Sequence, residues 1–290
     1  MIGVVLALAL SQTPEQVAGV RKLEKEGNEL LRAGHYADAE KSFQAAVDLW
    51  TKYRGPDDVE VLDDSMTLAV VRRRRGDFEG AVVLLQKVFE GLSRCKDPDA
   101  PQLRRRATND LAASYKYAGQ PKKAQVAWEG LLKILPADAA EERAVVLDNL
   151  AILLLDDLKD LAGAEKYAKQ GYAAWRALRG EGDDPDVAIS ETTLGTIALR
   201  KGDRKEARRL LADAVRVLEA SGGADSPNVA AALNLLSDVE EVEGHRDAAR
   251  ADLERSLAIS RKLNLDSKHY LVVDAKQRLQ RLDAPDAGRR

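Results

Sequence analysis

A short phrase recurs six times along this chain, about 42 residues apart. Its clearest copies read Gly34-His35-Tyr36-Ala37-Asp38-Ala39, Gly76-Asp77-Phe78-Glu79-Gly80-Ala81 and Gly202-Asp203-Arg204-Lys205-Glu206-Ala207. Gly119 to Ala124 and Gly244 to Ala249 repeat it. Self-similarity at this period means one supersecondary unit stacked many times, with each unit burying its apolar face on the next. A stack of this kind offers a long surface to another chain and rarely a reaction centre.

Each unit reads as two helices. In the third, Ala107, Leu111 and Tyr115 fall at helical spacing before Gly119-Gln120-Pro121 breaks the run. Ala124, Trp128 and Leu131 then line one face of a second helix that stops at Pro136. Glycine just past one helix and proline at the edge of the next are the expected punctuation. Small residues recur on the first helices at Gly27, Ala69, Ala112, Ala151, Gly195 and Ser237. Eleven or twelve residues later the second helices carry Ala39, Ala81, Ala124, Ala164, Ala207 and Ala249. Four residues further comes a large apolar side chain at Phe43, Leu85, Trp128, Leu211 and Leu253, whereas the fourth unit has Ala168. Small side chains on facing helices permit close approach. The large ones are expected to plug into the neighbouring unit.

The pattern small–x(11)–Ala–x(3)–large, with a turn glycine and an aromatic two residues after it, resembles the tetratricopeptide repeat family. The long period and linkers such as Gly182 to Ala188 and Asp225 to Ala230 are similar to the kinesin-light-chain type. Asn149-Leu150-Ala151 and Asn234-Leu235-Leu236 match its first-helix motif, and the resemblance covers about residues 15–263. It implies an all-α, right-handed superhelix of six helix pairs over residues 12–264. Residues 265–283 are expected to add a capping helix, with Leu271, Val272, Ala275 and Leu279 on one face and Lys276, Gln277, Gln280 and Arg281 on the other. Residues 284–290 read as a disordered tail.

Local chemistry refines this picture. Thr13-Pro14, Asp97-Pro98, Asp184-Pro185 and Ser226-Pro227 each place a capping side chain before a proline at a first helical position. The fourth unit has Asp156-Asp157-Leu158-Lys159-Asp160-Leu161 in place of the glycine turn, with one extra residue, so a distorted turn is expected there. Trp50, Trp128 and Trp175 fall on second helices and are expected to pack between units.

Ile2 to Leu10 is an unbroken apolar run, too short to span a membrane and of the length of a secretory signal's apolar region. Residues 1–11 are therefore expected to direct export and be removed, giving a periplasmic or secreted protein. The competing reading, an apolar tail packed on the first helix, leaves the chain in the cytoplasm. Much Ala, Arg, Gly and Leu with little Ile or Phe points to a bacterial source. The single cysteine, Cys95, excludes an internal disulfide.

The resemblance also implies where a partner sits: on the concave face lined by the first helices. By register the inner positions include Arg21, Asn28, Arg32, Arg73, Arg74, Arg106, Asn109, Lys116 and Tyr117 in the first three units. Asp148, Asn149, Asp156, Asn234, Asp238 and Glu241 follow. The groove should thus be basic in its first half and acidic or neutral in its second. Asn28, Arg73, Arg74, Arg106, Asn109, Lys116 and Asn149 are the expected peptide-binding residues, and the expected partner is a protein or extended peptide with an acidic segment. Amides suit a peptide backbone because they both donate and accept. The runs Arg72 to Arg75 and Arg104 to Arg106 have a second reading, since consecutive helical residues point in different directions. They can instead pair with acids such as Asp63, Asp64 and Asp110. A carboxylate clamp of Lys then Asn is not expected, because Glu24 stands four residues before Asn28.

Other function classes find little support. Net charge is -3, which does not suit nucleic acid. His35 and His245 fall in equivalent turns and His269 on the cap helix, so no dyad, metal-ligand cluster or phosphate-binding glycine loop is expected. The expected protein is a binding scaffold with no catalytic residue, metal or cofactor. The alternative is a structural module that self-associates or docks in an envelope assembly through its convex face or ends.

Overall fold

Glycine and proline cut the chain into helices of 14 to 19 residues. The computed structural model describes residues 13–284 apart from 181, 266 and 268, and among them there are thirteen helices and no strand. The first pairs are α1 (Pro14–Arg32) with α2 (Tyr36–Arg54), α3 (Val59–Arg75) with α4 (Phe78–Arg94), and α5 (Ala100–Tyr117) with α6 (Pro121–Ile134). Then come α7 (Ala140–Asp156) with α8 (Leu161–Arg179), α9 (Pro185–Arg200) with α10 (Arg204–Gly222), and α11 (Pro227–Val242) with α12 (Arg246–Lys262). A last helix, α13 (Tyr270–Asp283), packs on both α11 and α12. The chain divides into two compact units, Met1–Leu131 and Leu132–Arg290. The expected signal segment, residues 1–11, and residues 285–290 of the expected tail lie outside the described residues. None of the described helices is long and apolar enough to cross a membrane.

The small-residue code holds pair by pair. All six second-helix alanines are 0% exposed. The facing Gly27, Ala69, Ala112, Ala151, Gly195 and Ser237 are buried as well. Phe43, Leu85, Trp128, Leu211 and Leu253 are 0–1% exposed, and Phe43 and Leu85 cluster with apolar side chains of the following first helix. Ala168 clusters with Ile197 of α9 in the same way. The glycines are there for space: a Cβ on Gly27 would stand 2.8 Å from Phe43 Cε2, and one on Gly195 2.7 Å from Leu211 Cγ.

Turn chemistry follows the sequence with two exceptions. Gly34, Gly76, Gly119, Gly202 and Gly244 hold left-handed backbone between the helices of their pairs, with φ of 70 to 92°. In the fourth unit that position falls to Lys159 at φ 58°, and four residues rather than two or three join the helices. Leu158 N–H reaches back to Leu153 O at 3.1 Å and Asp160 N–H to Leu154 O at 2.9 Å, so the extra residue is absorbed by a wider loop. A side chain in this conformation costs about 1 kcal/mol relative to glycine. Thr13, Asp184 and Ser226 cap α1, α9 and α11 as expected. Asp97 does not cap α5: its Oδ1 accepts from Asp99 N–H at 2.9 Å in a preceding turn. Asp99 is the N-cap instead, and Pro101 lies in the first turn, where no intrahelical N–H is needed. His269 is likewise the N-cap of α13, accepting from Leu271 N–H, and not part of the helix.

Candidate functional site

In the second unit, α7, α9, α11 and α13 line an open groove of about 640 Å³. Thr192, Thr196 and Leu199 enter it from one face of α9, and Leu235, Asp238 and Val242 from one face of α11. These spacings of three and four stack side chains along one side of a helix. Ile152 and Leu155 of α7 extend the apolar floor. The threonine hydroxyls donate to their own helix, Thr192 Oγ1 to Ile189 O at 2.7 Å and Thr196 Oγ1 to Thr192 O at 2.8 Å.

Charge is confined to the two ends, and there it is paired. Arg200 donates to Leu155 O at 2.8 Å and to Asp156 Oδ1 at 2.9 Å. At the far end Arg281 donates to Asp238 Oδ1 at 2.7 Å and Glu241 Oε2 at 2.9 Å. Arg278 pairs with Asp238 and Asp274. Burial works against the Arg278 charge, but the two carboxylates outweigh it and hold its pKa above the ordinary arginine value. The expected acidic half of the groove is therefore neutralised locally. Sequence reading named Asp156, Asp238 and Glu241 but missed Arg200 and Arg278, and it placed Arg281 on the far side of a cap. The missed signal is opposite charge one repeat away, at separations of 40 to 44 residues.

Two inner amides of this unit lie elsewhere. Asn234 is 1% exposed and ties α11 to α13, donating to Leu271 O at 3.3 Å and Asp274 Oδ2 at 3.0 Å. Asn149 is half-buried on α7 and does not line the groove.

The tryptophans explain other inner polar residues. Each indole N–H finds an acceptor on the first helix of its own pair: Trp50 on Glu24 at 2.9 Å, Trp128 on Asn109 at 2.9 Å and Trp175 on Asp148 at 2.7 Å. Asn109 and Asp148 thus complete the core, because a buried N–H without a partner is costly. Asp148 also accepts from Ser190 Oγ at 2.9 Å, and Gly171 leaves room for it, since a Cβ there would lie 2.3 Å from Asp148 Oδ1. Burial pushes the Asp148 pKa up to about 6, against the lowering effect of the Trp175 and Ser190 hydrogen bonds.

A pH dependence follows from this carboxyl. Its folded-state pKa stands above the ordinary value of 3.8, so the folded protein holds the proton more tightly than the unfolded chain. The resulting stability is complete below about pH 4 and is lost as pH rises through about 6. Asp148→Asn keeps an acceptor for Trp175 and a donor for Ser190. It should remove this loss, about 3 kcal/mol in full at roughly 1.4 kcal/mol per tenfold change in proton affinity. Urea unfolding at pH 4 and pH 7 measures it; an unchanged difference between the two would show the carboxyl to be hydrated.

In the first unit the arginine runs disperse. Arg72 and Arg75 both reach Glu40 of α2, at 3.1 and 2.8 Å. Arg106 pairs with Asp63 at 2.9 Å, and Arg73 lies 3.7 Å from Asp110. Burial lowers the Arg73 pKa, and it raises that of Asp110 despite Arg73 and Arg106 nearby. Asp64 makes no ion pair among the described residues: it is buried, and burial followed by the charge of Glu24 pushes its pKa well above the carboxylate range against the opposing charge of Arg21. Tyr117 is 51% exposed, stacks on Phe78 with ring centres 5.6 Å apart, and carries Lys116 Nζ 5.4 Å from its centre. Asn28 is exposed, its amide donating to Glu24 O at 2.9 Å. Arg74 is exposed and makes no ion pair with the described residues.

Among the described residues one group of possible metal ligands converges, which sequence spacing did not show: Glu240, Glu243 and His245. Arg208 fills their midst, pairing with both glutamates and lying 3.1 Å from His245 Nδ1. The guanidinium supplies the cation this cluster needs.

The family model described as tetratricopeptide repeat matches residues 27–94 and 186–262, together half of the chain. A search of curated proteins finds no match. Among solved structures, BtubC (BKLC) from P. vanneervenii is 22% identical, with 88% of this chain and 94% of that chain covered and a TM-score of 0.56. The apo quorum sensor NprR from B. thuringiensis is 11% identical over 92% of this chain and 76% of its own, with a TM-score of 0.62. A Rap protein complexed with Competence and Sporulation Factor is 14% identical over 91% and 87%, with a TM-score of 0.58. At these identities the likeness is one of fold.

Proposed function

Because the chain belongs to the tetratricopeptide repeat family, we propose that it is a scaffold that holds a protein or extended peptide on its first-helix faces without altering it covalently. The carrying observation is the open groove of the second unit, whose walls are first helices and the last helix. A groove of about 640 Å³ with an apolar floor falls in the range of ligand sites. That a neighbour of the same fold was solved with Competence and Sporulation Factor supports binding as the activity.

The finer reading, an acidic partner segment, belongs to the first unit. Its support there is Arg74, which carries an unpaired charge, and Arg106, half exposed beside Asp63. An acidic segment meets far less free positive charge than four consecutive arginines suggest, since the charge that steers encounter is the unpaired part.

Panning a phage-displayed library of random peptides of about twelve residues against the whole chain tests the proposal. Enriched peptides should lose at least about tenfold in affinity with Val242→Glu in the second unit, or with Arg74→Glu and Arg106→Glu together in the first. These side chains are exposed or half exposed, so circular dichroism should be unchanged. An absence of enrichment, or binding indifferent to both variants, overturns the scaffold reading.

A further inference from the structure

We infer that the second unit's groove selects an uncharged, extended peptide segment with apolar side chains, and not an acidic one; this rests on the scaffold reading and narrows it. The groove's three carboxylates, Asp156, Asp238 and Glu241, are each held by Arg200, Arg278 or Arg281. Opposite charges therefore balance along the lining.

An incoming carboxylate at a spare guanidinium N–H would stand beside Asp156, Asp238 or Glu241, and an ammonium would have to take one of these from its arginine. Either course carries a desolvation cost that is not recovered. A neutral segment avoids it.

The remaining polar capacity matches a peptide backbone. A hydroxyl has one proton to donate and two lone pairs. The Thr192 and Thr196 protons are already given to helix carbonyls, so towards the groove these oxygens act only as acceptors, suited to backbone N–H. Arg281 engages its Nε and one terminal nitrogen, and Arg200 its two terminal nitrogens. Each guanidinium has five N–H groups in a fixed plane, so both keep donors for backbone carbonyls at the groove's ends. Between them Leu199, Leu235 and Val242 provide only apolar contact. Val242 is 46% exposed, which leaves apolar surface at the mouth for a ligand side chain to cover.

The same panning experiment decides this by composition and salt. Enriched sequences should have net charge near zero and a recurring aliphatic or aromatic position. Synthetic copies with acetylated and amidated ends should change Kd less than about threefold between 50 and 500 mM NaCl, because paired charges leave little to screen. Val242→Glu should weaken them at least about tenfold. Enrichment of acidic sequences whose Kd rises about tenfold with salt, and whose binding is lost with Val242→Glu, overturns this inference while the scaffold reading stands. Neutral sequences that ignore Val242→Glu overturn it too. Failure to enrich any sequence removes both.

Discussion

Gly195→Leu should cost more than about 3 kcal/mol, at the upper end of what overpacking does to a core. Gly195 faces Leu211, and even a Cβ would sit 2.7 Å from Leu211 Cγ and 3.4 Å from Leu210 Cβ. Leu211 cannot give way: it is 0% exposed and packed with Ala198, Ala207 and Val239. The two helices would have to part, uncovering the alanine contact that defines the pair. The midpoint of thermal unfolding followed by circular dichroism should fall by more than about 6 °C. Gly130→Ala is the control. A Cβ there meets nothing within 4 Å, so a helix-interior glycine is exchanged at a gain of a few tenths of a kcal/mol to about 1. A Gly195→Leu midpoint within a degree or two of wild type would mean that α9 and α10 do not nestle.

Trp128→Ala is expected to cost about 3–5 kcal/mol, the usual range for removing a buried tryptophan. The ring is 1% exposed, and its N–H donates to Asn109 Oδ1. Trp128→Phe separates the two contributions, keeping most of the apolar area but orphaning the Asn109 carbonyl at about 1–3 kcal/mol. A double-mutant cycle of Trp128→Phe with Asn109→Ala should show a coupling of about 1 kcal/mol in urea unfolding. Absence of coupling would mean that Asn109 does not serve Trp128, and peptide binding would then respond to Asn109→Ala while stability did not.

Much of this architecture was legible because it depends on volume and period. Ala39 through Ala249 and their small counterparts recur in phase, and only close helix pairs need that. The widened turn at Lys159 was legible for a related reason, since a missing glycine has a known conformational cost. What was not legible depends on reach. Four arginines in a row on α3 reveal their directions, but not that Arg72 and Arg75 reach back to Glu40 while Arg73 turns to Asp110. Asn109 was placed on the inner side of α5 by register alone, and register is silent about the indole that takes its carbonyl. The last helix was read as a lid with a wet outer face. Arg278 and Arg281 lie within reach of Asp238, which makes that helix a wall of the groove as well. At Asp97-Pro98 a second proline three residues on moved the helix start, a competition between two valid signals.

Ion pairs that bridge one repeat to the next recur beyond the groove. Arg21 meets Glu60, Arg106 meets Asp63, Arg179 meets Asp186, Lys201 meets Glu165 and Arg255 meets Glu219. Each is solvent-accessible and adds little stability by itself. Their consequence concerns modularity. The alanine code is shared by every unit and would let any two be joined, but these charges are particular to their neighbours. Shuffling, duplicating or deleting a segment would break these pairs at the new seam, so the order of the repeats is written on their flanks.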